Sequence, residues 1–395
     1  MKINNSALLA AGFVICGSSP TGLWAADFAL LPSIAGETSF NDNLFLQADS
    51  QLSTWRMVVY PGLALRYGSG PFKLQTTTSA AINRYIDNSE FNTEDQFYRV
   101  VSGYDFGRHN LNLDFRYTKI ATLRTEIADT GDLRSTTQRE RINLNPSWQY
   151  LLSENSRLTI GYLYNQNSYG QSASGFSNST QLTGSTSQGG NVLLDYSITN
   201  RLRVGTEASY SHVTGDTGYL ADNYMLRFPV TYDYSETFRT ALNVGGRYIQ
   251  ASSEGDNSGG GDIGFLLGFT FFKKFDIGQV DISIAHDVQP SGFGTQRQRD
   301  SVKLDLRGYV TETLFAGLLA QYFKNENIGS STSSANNRDF FEVSPNLRWQ
   351  WTHNWAVNAG YTFRAQKFDN QQGTGYGNLV FLTVGYSFDD LFLPE

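Results

Sequence analysis

The stretch Gln138 to Gln166, QRERINLNPSWQYLLSENSRLTIGYLYNQ, decides the fold. From Arg139 to Tyr150 polar and apolar residues alternate. Arg139, Arg141, Asn143, Asn145, Ser147 and Gln149 share one face, and Ile142, Leu144, Pro146, Trp148 and Tyr150 share the other. A period of two means a strand whose two faces meet different surroundings. A polar turn follows at Ser153-Glu154-Asn155-Ser156, and then Leu158, Ile160, Tyr162 and Tyr164 alternate with Thr159, Gly161, Leu163 and Asn165. Two such strands joined by a tight turn make a hairpin.

Strand length separates the two settings in which such a hairpin is found. Strands of soluble β-proteins average about five or six residues. A tilted strand that crosses a bilayer needs about 9–11, with an apolar outer face, aromatic ends and a polar face toward a wet lumen. The length of this hairpin favours the membrane. Trp148 and Tyr150 fit one aromatic girdle and Tyr164 the other.

Outward from this hairpin the same alternation predicts strands near 31–40, 55–67, 72–85, 95–106, 110–120, 138–151, 157–166, 188–198, 201–212, 222–234, 238–250, 262–272, 277–287, 298–310, 314–324, 339–351, 355–365 and 377–388. Connections alternate between short turns, such as Gly107-Arg108-His109, Thr199-Asn200 and Thr352-His353-Asn354, and long segments at 121–137, 167–187, 252–261, 288–297, 325–338 and 366–376. The long segments are rich in Ser, Gly, Asn, Asp and Gln, the residues of surface loops. The expected fold is all-β: a transmembrane antiparallel up-and-down β-barrel of about 18 strands, with short periplasmic turns and longer extracellular loops. Similar hairpins recur at intervals, but a propeller would not make every other loop long.

The chain has 395 residues with 14% aromatic, 17% charged and 38 glycines, too aromatic and too polar for a helical membrane protein. Its one continuous apolar run, Ala7 to Cys16, follows Lys2 and precedes Leu23-Trp24-Ala25-Ala26. That pattern reads as a cleaved signal peptide over 1–25, ahead of a barrel over 26–388 and a periplasmic tail over 389–395. Ile15 is bulky where a lipoprotein cysteine needs a small neighbour. Cleavage would remove the single cysteine, so no disulfide is expected, which suits the bacterial outer membrane. The net charge of -7 argues against a nucleic-acid partner. The four histidines show no metal-ligand spacing, and no cofactor is expected.

Continuing the alternation places Arg99, Arg116, Arg139, Arg141, Arg203, Arg227, Arg247, Arg307, Arg348 and Arg364 on the polar face, together with Arg66, Lys73 and Lys303. The acids there include Asp105, Asp114, Asp195, Glu207, Asp233, Asp281, Asp305 and Glu342. Unpaired, these arginines would make an anion-preferring lumen, since a low-dielectric wall of one sign attracts counter-ions. The alternative is that each arginine pairs with a neighbouring acid. An eighteen-strand lumen is wide enough for an aqueous channel, and the loop Asn167 to Ser187 is the expected constriction if one folds inward.

No nucleophile and base, carboxylate pair or metal cluster points to an enzyme. Ser172 and Ser174 lie in a predicted loop and miss the nucleophile-elbow spacing. Asn41-Asp42-Asn43 and Asp129 to Asp132 have calcium-ligand composition, but turn chemistry explains both.

Glu37-Thr-Ser-Phe-Asn-Asp-Asn-Leu-Phe45, Tyr60-Pro-Gly-Leu-Ala-Leu65 and Arg84-Tyr-Ile-Asp-Asn88 resemble β-barrel porin family 2, outer-membrane barrels that often accompany exopolysaccharide operons. The resemblance covers about the first third of the chain and continues as hairpin pattern to the end. It implies an outer-membrane channel linked to polysaccharide secretion, which would suit a basic lumen passing an acidic polymer. The expected partners are outer-membrane lipids and lipopolysaccharide, the barrel-assembly machinery and an acidic polysaccharide. Two other readings share the barrel: a non-specific diffusion porin, and a closed structural or lectin-like barrel that anchors surface polysaccharide.

Overall fold

The computed structural model describes residues 27–49, 51–131, 137–170, 182–253, 256–328 and 337–388. The expected signal peptide and the tail 389–395 lie outside these residues.

Each expected strand matches one observed strand and overruns it by at most one residue. In chain order they are β1 (Asp27–Asn41), β2 (Thr54–Ser69), β3 (Phe72–Tyr85), β4 (Thr93–Phe106), β5 (His109–Ala121), β6 (Gln138–Leu151), β7 (Ser156–Tyr169), β8 (Ser185–Ser197) and β9 (Leu202–Gly215). The second half holds β10 (Tyr219–Ser235), β11 (Phe238–Ser253), β12 (Asp256–Phe275), β13 (Gly278–Pro290), β14 (Gln296–Tyr309), β15 (Leu314–Asn327), β16 (Arg338–Gln350), β17 (Trp355–Phe368) and β18 (Gly375–Ser387). Every strand pairs antiparallel with its sequence neighbours. The ring closes where β1 meets β18, from Ser33↔Ser387 to Asn41↔Leu379. Closure removes the free edges that β1 and β18 would otherwise present to a bilayer, which cannot solvate them.

Alternation explains why these sequences close into a ring with two unlike faces. Ile160, Val192, Leu194, Leu226, Val302 and Leu382 point outward and are exposed, where water would disfavour them and lipid would not. Aromatic side chains band the short-turn end. Phe106, His109, Trp148 and Tyr150 stack in a continuous row, and Trp349 stacks on Trp351. Toward the long-loop end Tyr210, Tyr224 and Tyr248 form a second row. Two such girdles mark the two bilayer interfaces. The tight turn between β4 and β5 depends on Gly107, whose φ of 76° suits glycine above other residues.

Of the strands that run past their sequence expectation, β12 does so furthest. β12 begins at Asp256, not 262, because the run Gly259-Gly260-Gly261 carries no side chains whose alternation could be read.

Candidate functional site: a latched constriction inside the barrel

Strand register fixes which residues face the lumen. Arg99 lies opposite Arg116, Arg116 opposite Asn143, and Thr118 opposite Arg141, so the polar faces of β4, β5 and β6 form one inward surface. By the same alternation the register puts Arg203, Arg227, Arg247, Arg307, Arg348 and Arg364 on the inward face as well.

The segment after β5 does not stay at the rim. A short helix, α1 (Thr122–Thr125), turns the chain inward, and Glu126 closes it with a backbone bond to Thr122. Asp129 then sits between opposite walls. One carboxylate oxygen is 2.6 Å from Arg139 on β6, and the other is 2.6 Å from Arg297 on β14. Its carbonyl accepts from Arg297 at 2.5 Å, Asn325 at 3.3 Å and Arg338 at 3.3 Å. In a ring of eighteen strands β6 and β15 are diametrically opposed, so a residue bonded to both neighbourhoods bridges the lumen. Arg299 donates to the Ala128 carbonyl, and Arg338 to that of Ile127. Burial alone would raise the Asp129 carboxyl, but the Arg297 and Arg139 guanidiniums outweigh it and hold the group well below its ordinary 3.8.

A second element crosses from the other side. The β13–β14 connection places the Gly292 amide 3.3 Å from the Asp129 carboxylate, while its carbonyl accepts from Thr183 at 2.8 Å. A third segment, after β1, buries Leu44, Phe45 and Leu46 against Tyr85, Phe91, Leu123, Phe323 and Phe340. Phe91 meets Phe45 and Tyr85 edge-on at 5.6 and 6.0 Å. A polar lumen thus contains a small apolar core that fastens these segments to the wall.

The expected constriction was 167–187. Residues 171–181 lie outside those described, and the described crossings come from 122–131 and 291–295. Asn167 supports them, accepting from Arg139 at 3.0 Å and Arg141 at 2.8 Å. Asp129, considered for calcium, has its carboxylate taken by guanidiniums, and Asp132 lies outside the described residues.

Most of the expected lumen arginines have acidic neighbours. Arg99 bonds Asp114 at 2.9 Å, Arg227 bonds Asp287 at 2.9 Å, Arg307 bonds Asp305 at 2.5 Å and Arg364 bonds Glu342 at 2.7 Å. Arg247 pairs with Asp262, and Arg348 donates to Gln350 at 3.2 Å. Arg139 is consumed by the latch, bonding both Asp129 and Glu126. Arg116 reaches only 4.0 Å from the carboxylate that Arg99 already holds. Arg141 bonds an amide, and Arg203 has no acid within ion-pair distance among the described residues. In the sequence Arg297 stands at a loop end, and nothing marks out Arg299 or Arg338. Only their register beside the crossing segment reveals their role.

A closed ring of eighteen antiparallel strands, apolar and aromatic outside and polar within, is the architecture of a bacterial outer-membrane β-barrel. No family model matches the chain, nor does any curated relative. The resemblance to β-barrel porin family 2 therefore stays an expectation. Among solved structures, similar ones include Pseudomonas aeruginosa OccK2 (OpdF) in complex with glucuronate, at 10% identity over 92% of this chain and 98% of that one, with a TM-score of 0.49. The Pseudomonas aeruginosa outer membrane protein opdK gives 11%, 92%, 98% and 0.48, and Acinetobacter baumannii OccAB3 gives 11%, 92%, 100% and 0.46.

Proposed function

We infer that this chain is an outer-membrane channel that prefers anions, with its narrowest passage at the Asp129 latch. The observation that carries the preference is the strip on β4 to β6. Arg99 and Arg116 face each other across the strand pair and share the single carboxylate of Asp114, and Arg141 stands further along the same wall, toward the crossing segments. Three guanidiniums with one carboxylate within ion-pair distance leave a positive surplus along this wall. In a low-dielectric channel such a surplus sets selectivity. The test is the zero-current potential of the purified protein in a planar bilayer under a salt gradient, before and after Arg99→Gln, Arg116→Gln and Arg141→Gln are combined. The preference for anions falls toward none in the triple variant, and an unchanged potential removes the assignment.

The finer reading is that the anion is a stretch of acidic exopolysaccharide. What supports it is the resemblance in the first third of the chain together with this basic strip. An acidic oligosaccharide then blocks the current at concentrations where a neutral one of equal length does not. Equal block by both rejects the polymer while keeping the channel. The crossed lumen favours a second reading, a closed barrel that anchors polysaccharide at its loops. A folded protein that carries no current and binds the oligosaccharide would establish it.

A further inference from the structure

Among the described residues the barrel wall parts at the β12–β13 seam. β12 pairs with β11 up to Ser253↔Asp256, but with β13 only from Phe275↔Gly278 to Leu267↔His286. Past His286, β13 continues to pair with β14 as far as Pro290↔Gln296, and β14 with β15 as far as Arg297↔Asn327. Two neighbouring strands therefore both run on, without each other.

The side chains show where β13 goes. Val288 belongs to its outward set, with Ile284 and His286, yet it packs against the buried cluster of Val213, Ala221, Ile249 and Ile328, the first three of which lie on the inward faces of β9 to β11. Gln298, its register partner on β14, accepts from Arg247 of β11 at 3.1 Å. Outward-set side chains reach the inner face of another wall segment only if the upper β13–β14 hairpin lies inside the ring. Thr183↔Phe293 and the Gly292 contact with Asp129 place its tip across the lumen. The edge of β12 that it leaves bears Ile263, 82% exposed, and Phe265, 60% exposed. An unpaired strand edge leaves backbone donors and acceptors without sheet partners.

We propose that the upper β13–β14 hairpin is a gate, hinged at His286–Asp287, whose open position is the vacant edge of β12. Continuing the observed register pairs Leu266 with Asp287, Phe265 with Val288, Gly264 with Gln289 and Asp262 with Ser291. This extension sets Phe265 and Val288 side by side on the lipid face, gives the bare β12 edge its hydrogen-bond partners, and withdraws the bar at 291–295 from the lumen. The upper end of β15 follows, since its ladder with β14 is unbroken. The tucked position is held by Arg227–Asp287, Arg247–Gln298 and the contacts of Arg297 and Gly292 with Asp129. A two-position element of this kind, with a distinct set of contacts in each position, is what gating requires. Its consequence for current rests on the channel reading above, whereas the hinge does not.

Two double variants of the full chain, in a Cys16→Ser background, test it. Thr183→Cys with Phe293→Cys links the tucked position, and Asp262→Cys with Ser291→Cys links the zipped one. Ile263→Cys with Pro290→Cys, the next pair of the continued register, repeats the second without touching the Asp262–Arg247 pair. Circular dichroism of each reduced variant verifies the barrel, and mass spectrometry of oxidised peptides reads the disulfide independently of current. Both kinds of link form, the first lowers single-channel conductance reversibly on reduction, and the second raises it. If the zipped links stay reduced under conditions where the tucked link closes fully, the gate is wrong. If both kinds form and no variant conducts, the hinge stands and the channel reading falls.

Discussion

Asp129 is the residue on which the constriction turns. It is 5% exposed, and guanidiniums from β6 and β14 take its two carboxylate oxygens. Removing one member of a buried ion pair costs about 3–5 kcal/mol, because the remaining charges lose their counter-ion in a site water does not reach. Asp129→Asn is therefore expected to loosen the crossing segments while the barrel keeps its shape. Single-channel conductance rises, and unchanged conductance would mean that the latch does not limit the passage. The pH dependence follows from the same pairing. The native value of the carboxyl lies below its ordinary 3.8, so its contribution is present above that value and lost as pH falls through the lowered one. Conductance should hold steady through neutral and mildly acid solution and rise only below about pH 4. A rise already at pH 6 would point to another group. None of this was legible in the sequence. Asp129 reads there as turn chemistry, and Arg297 and Arg338 lie 168 and 209 residues away.

At the scale of elements, the strands were legible because each carries its own alternation, whereas the segments that enter the lumen were not. Leu44, Phe45 and Leu46 sit in a loop beside Asn41-Asp42-Asn43, and nothing local says that they are buried. Phe91, 2% exposed in a single turn of 3-10 helix between β3 and β4, likewise looks like an isolated loop aromatic. Their shared core supplies the apolar attachment of two loops. Truncating a buried phenylalanine costs about 3–5 kcal/mol, so Phe91→Ala should free the segment 42–53 without unfolding the wall. Limited proteolysis checks it: cleavage within 42–53 appears in the variant and not in the parent protein, with the barrel fragment intact. Equal resistance would show that Asn43, bonded to the Gln47 and Tyr376 carbonyls at 2.8 and 2.7 Å, holds the loop unaided. The bare edge of β12 is illegible in the sequence for a related reason. Its glycines carry no pattern, and a missing ladder is a property of two strands, not of one.

The molecule as a whole joins a legible scaffold to an illegible interior. An apolar outer band and closed strand pairing follow from period-two alternation repeated around the ring, and they make the chain a bilayer-spanning barrel. The lumen then divides by charge. Arg227, Arg307 and Arg364 are each held by an acid, as pairing along the wall would have it, while the strip of Arg99, Arg116 and Arg141 keeps a surplus. Selectivity should therefore reside on one wall. Neutralising Arg307 or Arg364 should alter it less than neutralising Arg116, and a larger effect at Arg307 would move the site to the opposite side. The most direct measurement is the zero-current potential of the refolded parent protein in a planar bilayer across a salt gradient, with its circular dichroism confirming the β-barrel. A steady, small conductance whose potential has the sign of anion preference is expected. A cation-preferring potential, or no conductance from the folded barrel, would contradict it.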